Sequence, residues 1–269
     1  MGKTAAVLSE VKNSGKSVFT YIMANQIRRM VSQDTKILVC CLNSKFSLLY
    51  KLLGINESSP GIEELINIQE SECGYNPGEL TDIIPKSNGI YFLGSYNTTN
   101  SYVRRYTDSF SALIDNLEKT FDLIIFDTVS SKENIMTNIV FQKSLMLINL
   151  FVQDAESVNM LKSTMEYKSE HKQKEVYLMS KYRNIYPRVS DIKRRFSLNK
   201  IYKMDYCTTL QEMKNRDSLH LYLQRDTECN DSVKQVSKYI TQVFNLKLIG
   251  KEQGSKKVNY LKSIFGTIT

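Results

Sequence analysis

The stretch Thr4-Ala5-Ala6-Val7-Leu8-Ser9-Glu10-Val11-Lys12-Asn13-Ser14-Gly15-Lys16-Ser17-Val18 decides the fold. Thr4–Leu8 reads as a short buried strand, and the polar run 9–15 breaks the pattern. From Lys16 the apolar residues Val18, Ile22, Ala24, Ile27 and Met30 recur at helical spacing, which predicts a helix over Lys16–Met30. At a strand-to-helix turn the first helical N–H groups lack intrahelical partners and face whatever sits in the turn. Gly15-Lys16-Ser17 has the form of the end of a phosphate-binding loop. Lys12, Asn13, Ser14, Gly15, Lys16, Ser17 and Val18 are therefore the candidate nucleotide-binding residues. Lys16 would reach the terminal phosphates and the Ser17 hydroxyl would ligate Mg²⁺. The plainer alternative is a polar turn with no ligand.

Outward from this turn the apolar runs keep alternating in type. Residues 36–42 (KILVCCL), 89–93 (GIYFL), 121–126 (FDLIIF), 144–151 (SLMLINLF) and 175–179 (EVYLM) read as strands. Residues 48–53 (closed by Gly54), 62–68, 101–120, Ala155–Tyr167 and 232–244 read as helices. Strands apolar on both faces and alternating with helices predict an α/β fold: a three-layer sandwich with a largely parallel central sheet flanked by helices. Residues 1–249 form the expected domain, and 250–269 a basic amphipathic tail.

A second polar signal stands at the end of the strand 121–126. FDLIIFDTVSS leaves Asp127 at the strand's mouth, where a carboxylate would hold Mg²⁺ beside Ser17. The alternative is an N-cap for a helix starting near residue 131. Ser17 and Asp127 are the candidate metal residues.

Composition narrows the rest. With 42% apolar and 24% charged residues in 269, the chain can bury a core, which excludes disorder as its main state. No 18 apolar residues run together, so no membrane-spanning helix is expected. The opening MGKTAAVLSE turns polar too soon for a signal peptide, so a cytoplasmic location is expected, extending to the periphery of the membrane's inner face. Five cysteines without a C-x-x-C pair, and only His171 and His220, argue against structural zinc and hydrolase triads. Adjacent Cys40 and Cys41 on a strand would point to opposite faces.

The net charge of +8 is localised. Residues 181–200 carry Lys181, Arg183, Arg188, Lys193, Arg194, Arg195 and Lys200 against Asp191 alone. Residues 247–269 carry five lysines against Glu252. Such zones fit DNA, anionic lipid or plain solvent. Tyr182, Tyr186, Tyr202 and Tyr206 interleave with the first zone, either to stack on bases or to pack core and rim. In the tail, Val258, Leu261, Ile264 and Phe265 would share one apolar face of a helix, with Lys256, Lys257 and Lys262 placed for anionic headgroups. A frayed terminus or a docked short helix is the alternative.

The order of these motifs resembles the MinD/ParA group of P-loop ATPases over about residues 4–245. KILVCCLNSKFSLLYKLLG is similar to their second strand and switch I, FDLIIFDTVSS to switch II, and IYKMDYCTTLQEMKNRDSL to their segment near the base. The sequence also departs from that pattern. The family's signature lysine falls on Val11, with Lys12 one residue late, and its two glycines fall on Lys12 and Asn13. The consensus loop glycine is Glu10. The switch I aspartates fall on Cys41 and Asn43, the Pro-Pro after the Walker B aspartate on Val129-Ser130, and the adenine-side Asn on Ser180. The resemblance implies ATP and Mg²⁺ as cofactors, a homodimer formed across the nucleotide, and positioning of a large assembly in the cell through other assembly proteins. Such atypical loops resemble the TadZ/CpaE proteins of pilus localisation. The missing switch I carboxylate implies slow or absent hydrolysis. Two rivals stay open: a ParA-like protein binding DNA through residues 181–200, and a nucleotide-free scaffold.

Overall fold

The computed structural model describes residues 3–42, 60–71, 77–96, 99–130, 134–167, 173–216, 218–224 and 231–249. Along the chain lie β1 (Thr4–Leu8), α1 (Lys16–Met30), β2 (Ile37–Cys41), α2 (Ile62–Ser71), α3 (Pro77–Ile83), β3 (Lys86–Ser87) and β4 (Ile90–Leu93). Then come α4 (Asn100–Arg105), α5 (Thr107–Thr120), β5 (Leu123–Asp127), α6 (Ile135–Lys143), β6 (Met146–Val152), α7 (Ala155–Tyr167) and β7 (Lys174–Tyr182). The last described elements are α8 (Val189–Phe196), β8 (Tyr202–Asp205), α9 (Thr208–Asn215), α10 (Leu219–Gln224) and α11 (Asp231–Val243).

The strands form one sheet in the order β3-β4-β2-β5-β1-β6-β7-β8. Every pairing is parallel except β3 with β4. Strand β1, met first in the sequence, sits between β5 and β6 at the middle of the sheet. Its small side chains suit that place, since Ala5 and Ala6 let helices approach both faces and are fully buried.

Alternation sorts the strand residues into two cores. Ala5, Val7, Ile37, Val39, Cys41, Leu123 and Ile125 pack with α1 and α11. Ala6, Leu38, Cys40, Ile124 and Phe126 pack with α2, α5 and α6. Cys40 and Cys41 thus face different layers, and Asp127, two residues past Ile125, shares the α1 side with Cys41. A third cluster under α7 and α8 holds Phe151, Tyr177, Met179 and Ile192. The arrangement is the expected three-layer sandwich with a mostly parallel sheet.

Several expectations need adjusting. The single helix over 101–120 is two helices. The chain breaks at Tyr106 (φ −116°, ψ 32°), where the Thr107 hydroxyl bonds back to the Val103 and Arg104 carbonyls. α1 is buried on most of its circumference, because α11 covers the side turned from the sheet; Tyr21, Met23 and Gln26 are buried beside the expected stripe. α3, α8, α9, α10, β3 and β8 are short elements that apolar periodicity did not reveal. The expected helix at 48–53 with Gly54, Asn43, His171 and the tail with Val258, Leu261, Ile264 and Phe265 lie outside the described residues.

Phe121 enters β5 fully buried, edge-on to Tyr91 with ring centroids 5.1 Å apart. Phe121→Ala should cost about 3–5 kcal/mol of stability, the range for deleting a buried aromatic. A denaturant titration that leaves the midpoint in place would contradict this packing.

Candidate functional site

The turn between β1 and α1 is built by left-handed backbone at two residues, Asn13 (φ 58°) and Gly15 (φ 88°). Glycine meets this geometry without strain, and Asn tolerates it better than most side chains. Gly15 is the N-cap position of α1, and no side chain caps the helix. The first turn also holds no acidic residue. Its outward N–H groups and the positive end of the helix dipole therefore remain available to an anion. The carbonyl acceptors of the loop are occupied elsewhere. Ser180 Oγ donates to the Ser14 carbonyl at 2.6 Å, and Lys181 Nζ donates to that of Asn13 at 2.7 Å.

Strand register brings the second half of the site. Asp127 ends β5 between Val7 of β1 and Cys41 of β2. Its side chain is buried at the foot of the loop. The Ser17 hydroxyl and the Cys41 thiol, whose Sγ lies 3.5 Å from Oδ2, both favour its charged form. Oδ1 is buried without a hydrogen-bond partner. Burial pushes the Asp127 carboxyl up from its usual range, against the opposing pull of Lys16. Lys16 is 8% exposed, and its Nζ donates to Ser130 Oγ at 3.1 Å. Burial holds its pKa down, against the attraction of Asp127, Cys41 and Glu10. Both charges thus sit desolvated without full compensation, as groups that await a charged ligand do.

The cleft above them encloses about 300 Å³. Lys12, Asn13, Ser14, Gly15, Lys16, Ser17, Val18 and Asp127 all line it, so the residues singled out from sequence converge. Asp127 does not cap a helix. α6 is capped by Asn134, whose Oδ1 accepts from the Thr137 N–H at 2.8 Å. Glu10, placed where a glycine is usual, lines a separate cavity of about 20 Å³ with Asn149 and Ser157, while its charge still acts on Lys16. The orphaned Asp127 oxygen beside the Ser17 hydroxyl is a hard-oxygen pair that fits Mg²⁺. Ser17 and Asp127 would hold that ion, with Lys16 and the loop amides on the phosphates. Among the described residues no cluster of three or more His, Cys, Asp or Glu could hold a metal ion by itself.

A second hollow of about 50 Å³ opens on the far side of the loop. It shares Asn13, Ser14, Gly15, Val18 and Lys214 with the first, and adds Ser180, Met204, Tyr206, Cys207 and Leu210. Sequence reasoning pointed to the 201–219 segment, which contains Lys214, and placed Lys181 in the basic zone, but assigned neither lysine to the loop. Lys181 adopts a left-handed conformation (φ 53°) and has its pKa lowered by burial first and by Lys214 second. Neither lysine stands in a recognisable spacing, so only the folded contacts reveal them. Ser130, in the position of a proline in the resembled pattern, gains a purpose in holding Lys16.

No protein-family model and no curated protein sequence matches the chain. Solved structures do match it. The ParA family ATPase from Chlorobium tepidum TLS superposes with a TM-score of 0.73 at 14% identity, covering 88% of this chain and 98% of that one. MinD of Pyrococcus horikoshii OT3, complexed with Mg-ADP, gives 0.69 at 11% identity over 90% and 97%. A Borrelia burgdorferi B31 protein assigned to plasmid partition, bound to AMPPNP, gives 0.64 at 16% identity over 91% and 99%. The chain therefore has the fold of the ParA- and MinD-type P-loop ATPases.

Proposed function

We propose that this protein binds ATP with Mg²⁺, dimerises across the nucleotide, and positions a large assembly in the cell. The observation that carries the reading is the desolvated Lys16–Asp127 arrangement beneath an uncapped helix N-terminus, with an open carboxylate oxygen beside Ser17. Three phosphates and a divalent ion supply the charges it lacks. The second hollow, continuous with the loop at Asn13 to Gly15, has the position for the base. That solved structures of the same fold carry Mg-ADP and AMPPNP supports the choice of ligand. The atypical loop supports a TadZ/CpaE-like role at a pilus as the cargo. Residues 1–249 would form the ATP-binding domain and 250–269 a reversible membrane tail.

Hydrolysis is slow in this reading. Cys41 stands beside Asp127, where the resembled pattern places a carboxylate. A thiol held against a carboxylate in a buried site is a poor base for orienting water. Fold and site chemistry favour this account over a nucleotide-free scaffold, which would have no cause to bury Lys16 and Asp127 together.

Mg-ATP at about 100 times its Kd should stabilise the protein by about 2.7 kcal/mol, a melting shift of roughly 5–10 °C. Lys16→Ala should weaken ATP binding at least tenfold, about 1.4 kcal/mol. Equal titration curves for variant and parent would remove the site, and no shift with either would favour the scaffold. Steady-state phosphate release should run about 10²–10⁴-fold below that of a same-fold ATPase retaining the carboxylate. Rapid turnover that depends on Lys16 would refute the slow-hydrolysis reading.

A further inference from the structure

The turn after β7 departs from the rest of the surface. Ile185 is 55% exposed and Tyr186 82% exposed, the one adjacent pair of large apolar side chains so exposed among the described residues; Tyr206, Leu221 and Ile249 are exposed singly. Chain slack does not account for this. Gln153, at the end of β6, grips the turn from beneath: its amide donates to the Ile185 carbonyl at 2.8 Å and the Pro187 carbonyl at 2.9 Å, and its oxygen accepts from Arg183 N–H at 2.8 Å. The Ile185 N–H donates to the Arg183 carbonyl at 2.8 Å, which tightens the tip further. Two apolar side chains are thus presented to water on a fixed support, and exposing them costs stability that nothing within the chain repays.

The surroundings are basic. Arg183 and Arg188 flank the tip, and α8, starting directly after it, ends in Lys193, Arg194 and Arg195. Asp191 is the only carboxylate of residues 181–200, and it pairs with Arg194 at 3.4 Å. An apolar pair inside a positive field fits either a nucleic acid or an anionic bilayer. The aromatic contacts separate the two. Three of the four tyrosines that could have received bases already carry one of this protein's own cations: Arg183 over Tyr206 at 4.3 Å, Lys203 over Tyr182 at 4.6 Å, and Lys200 over Tyr202 at 4.2 Å. What remains outermost is an aliphatic side chain, useless for stacking, beside a tyrosine, which favours the headgroup level of membranes.

We propose that Ile185 and Tyr186 form a membrane-inserting tip, drawn to anionic phospholipid by Arg183, Arg188 and the last turn of α8. This contact belongs to the folded domain and is separate from any attachment by residues 250–269. It does not rest on nucleotide binding. It does give the basic zone a partner, and because Lys181, two residues before Arg183, holds the Asn13 carbonyl, it places that partner next to the phosphate loop.

The chain contains no tryptophan, so Tyr186→Trp in the full-length protein creates a local reporter. With phosphatidylglycerol-containing vesicles its emission should shift to the blue and become shielded from iodide, and phosphatidylcholine vesicles should do neither. Ile185→Ser with Tyr186→Ser should weaken vesicle sedimentation about tenfold, and Arg194→Gln with Arg195→Gln by about fivefold for each charge lost, with melting temperatures unchanged. Sedimentation of the Tyr186→Trp protein without a spectral shift would mean that another segment binds, and would overturn the tip. Absence of sedimentation would overturn it as well. A fluorescence change on adding duplex DNA but not vesicles would assign the zone to nucleic acid instead.

Discussion

Burial of a lysine and an aspartate at the same strand ends is the constraint around which this molecule is arranged. Neither Lys16 nor Asp127 is comfortable in its place: desolvation works against the charged form of each, and one aspartate oxygen has no partner. Holding them there requires rigid surroundings. The parallel register supplies these by locking Asp127 between Val7 and Cys41, while α11 presses α1 onto the sheet. The stability for this comes from the two apolar cores rather than from the charges. A site of this kind gains most when a polyanion and a divalent ion arrive together, because each relieves a different member of the pair.

Much of the fold could be read directly from the residues, for identifiable reasons. β1, α1 and α7 have the bounds that their patterns indicate, because they are long or uniformly apolar and are bordered by polar runs. The residues that line the candidate cleft could be read from the same source, since those of the β1–α1 turn are contiguous and Asp127 ends an apolar strand. Elements at the β7–β8 edge were not legible. α8 spaces Val189, Ile192 and Phe196 at i, i+3 and i+7 but is only eight residues long with three basic residues in its last turn, and β8 alternates for only four residues, so each period is too short to stand out. The break at Tyr106 was hidden for another reason: a threonine hydroxyl competing for backbone carbonyls leaves no mark on hydrophobic spacing. Lys181 and Lys214 reach the site from separate elements, and only tertiary structure joins them to the loop.

The departures from the resembled pattern acquire separate meanings once they are placed. Glu10 lines a different cavity, yet its charge still reaches the Lys16 ammonium. Ser130 is useful, because it receives the Lys16 ammonium. Ser180 keeps an anchoring role through the Ser14 carbonyl. Cys41 alone alters the chemistry, because it meets Asp127 directly on the α1 face. In the function proposed above, the departures therefore leave the residues that would hold a ligand in place and remove a carboxylate that would orient water.

The central position of β1 has a consequence for how the chain reaches this state. Strand β1 is flanked by β5 and β6, whose residues follow more than a hundred positions later in the chain. Until those are synthesised, the loop and its helix have no sheet to rest on, and Thr4 to Leu8 wait as an unpaired apolar edge. The Lys181 and Ser180 contacts to the loop arrive later still. Such long-range closure makes folding slow and leaves the nascent chain exposed to association with other chains. The loop is thus made well before the strands and side chains that set it.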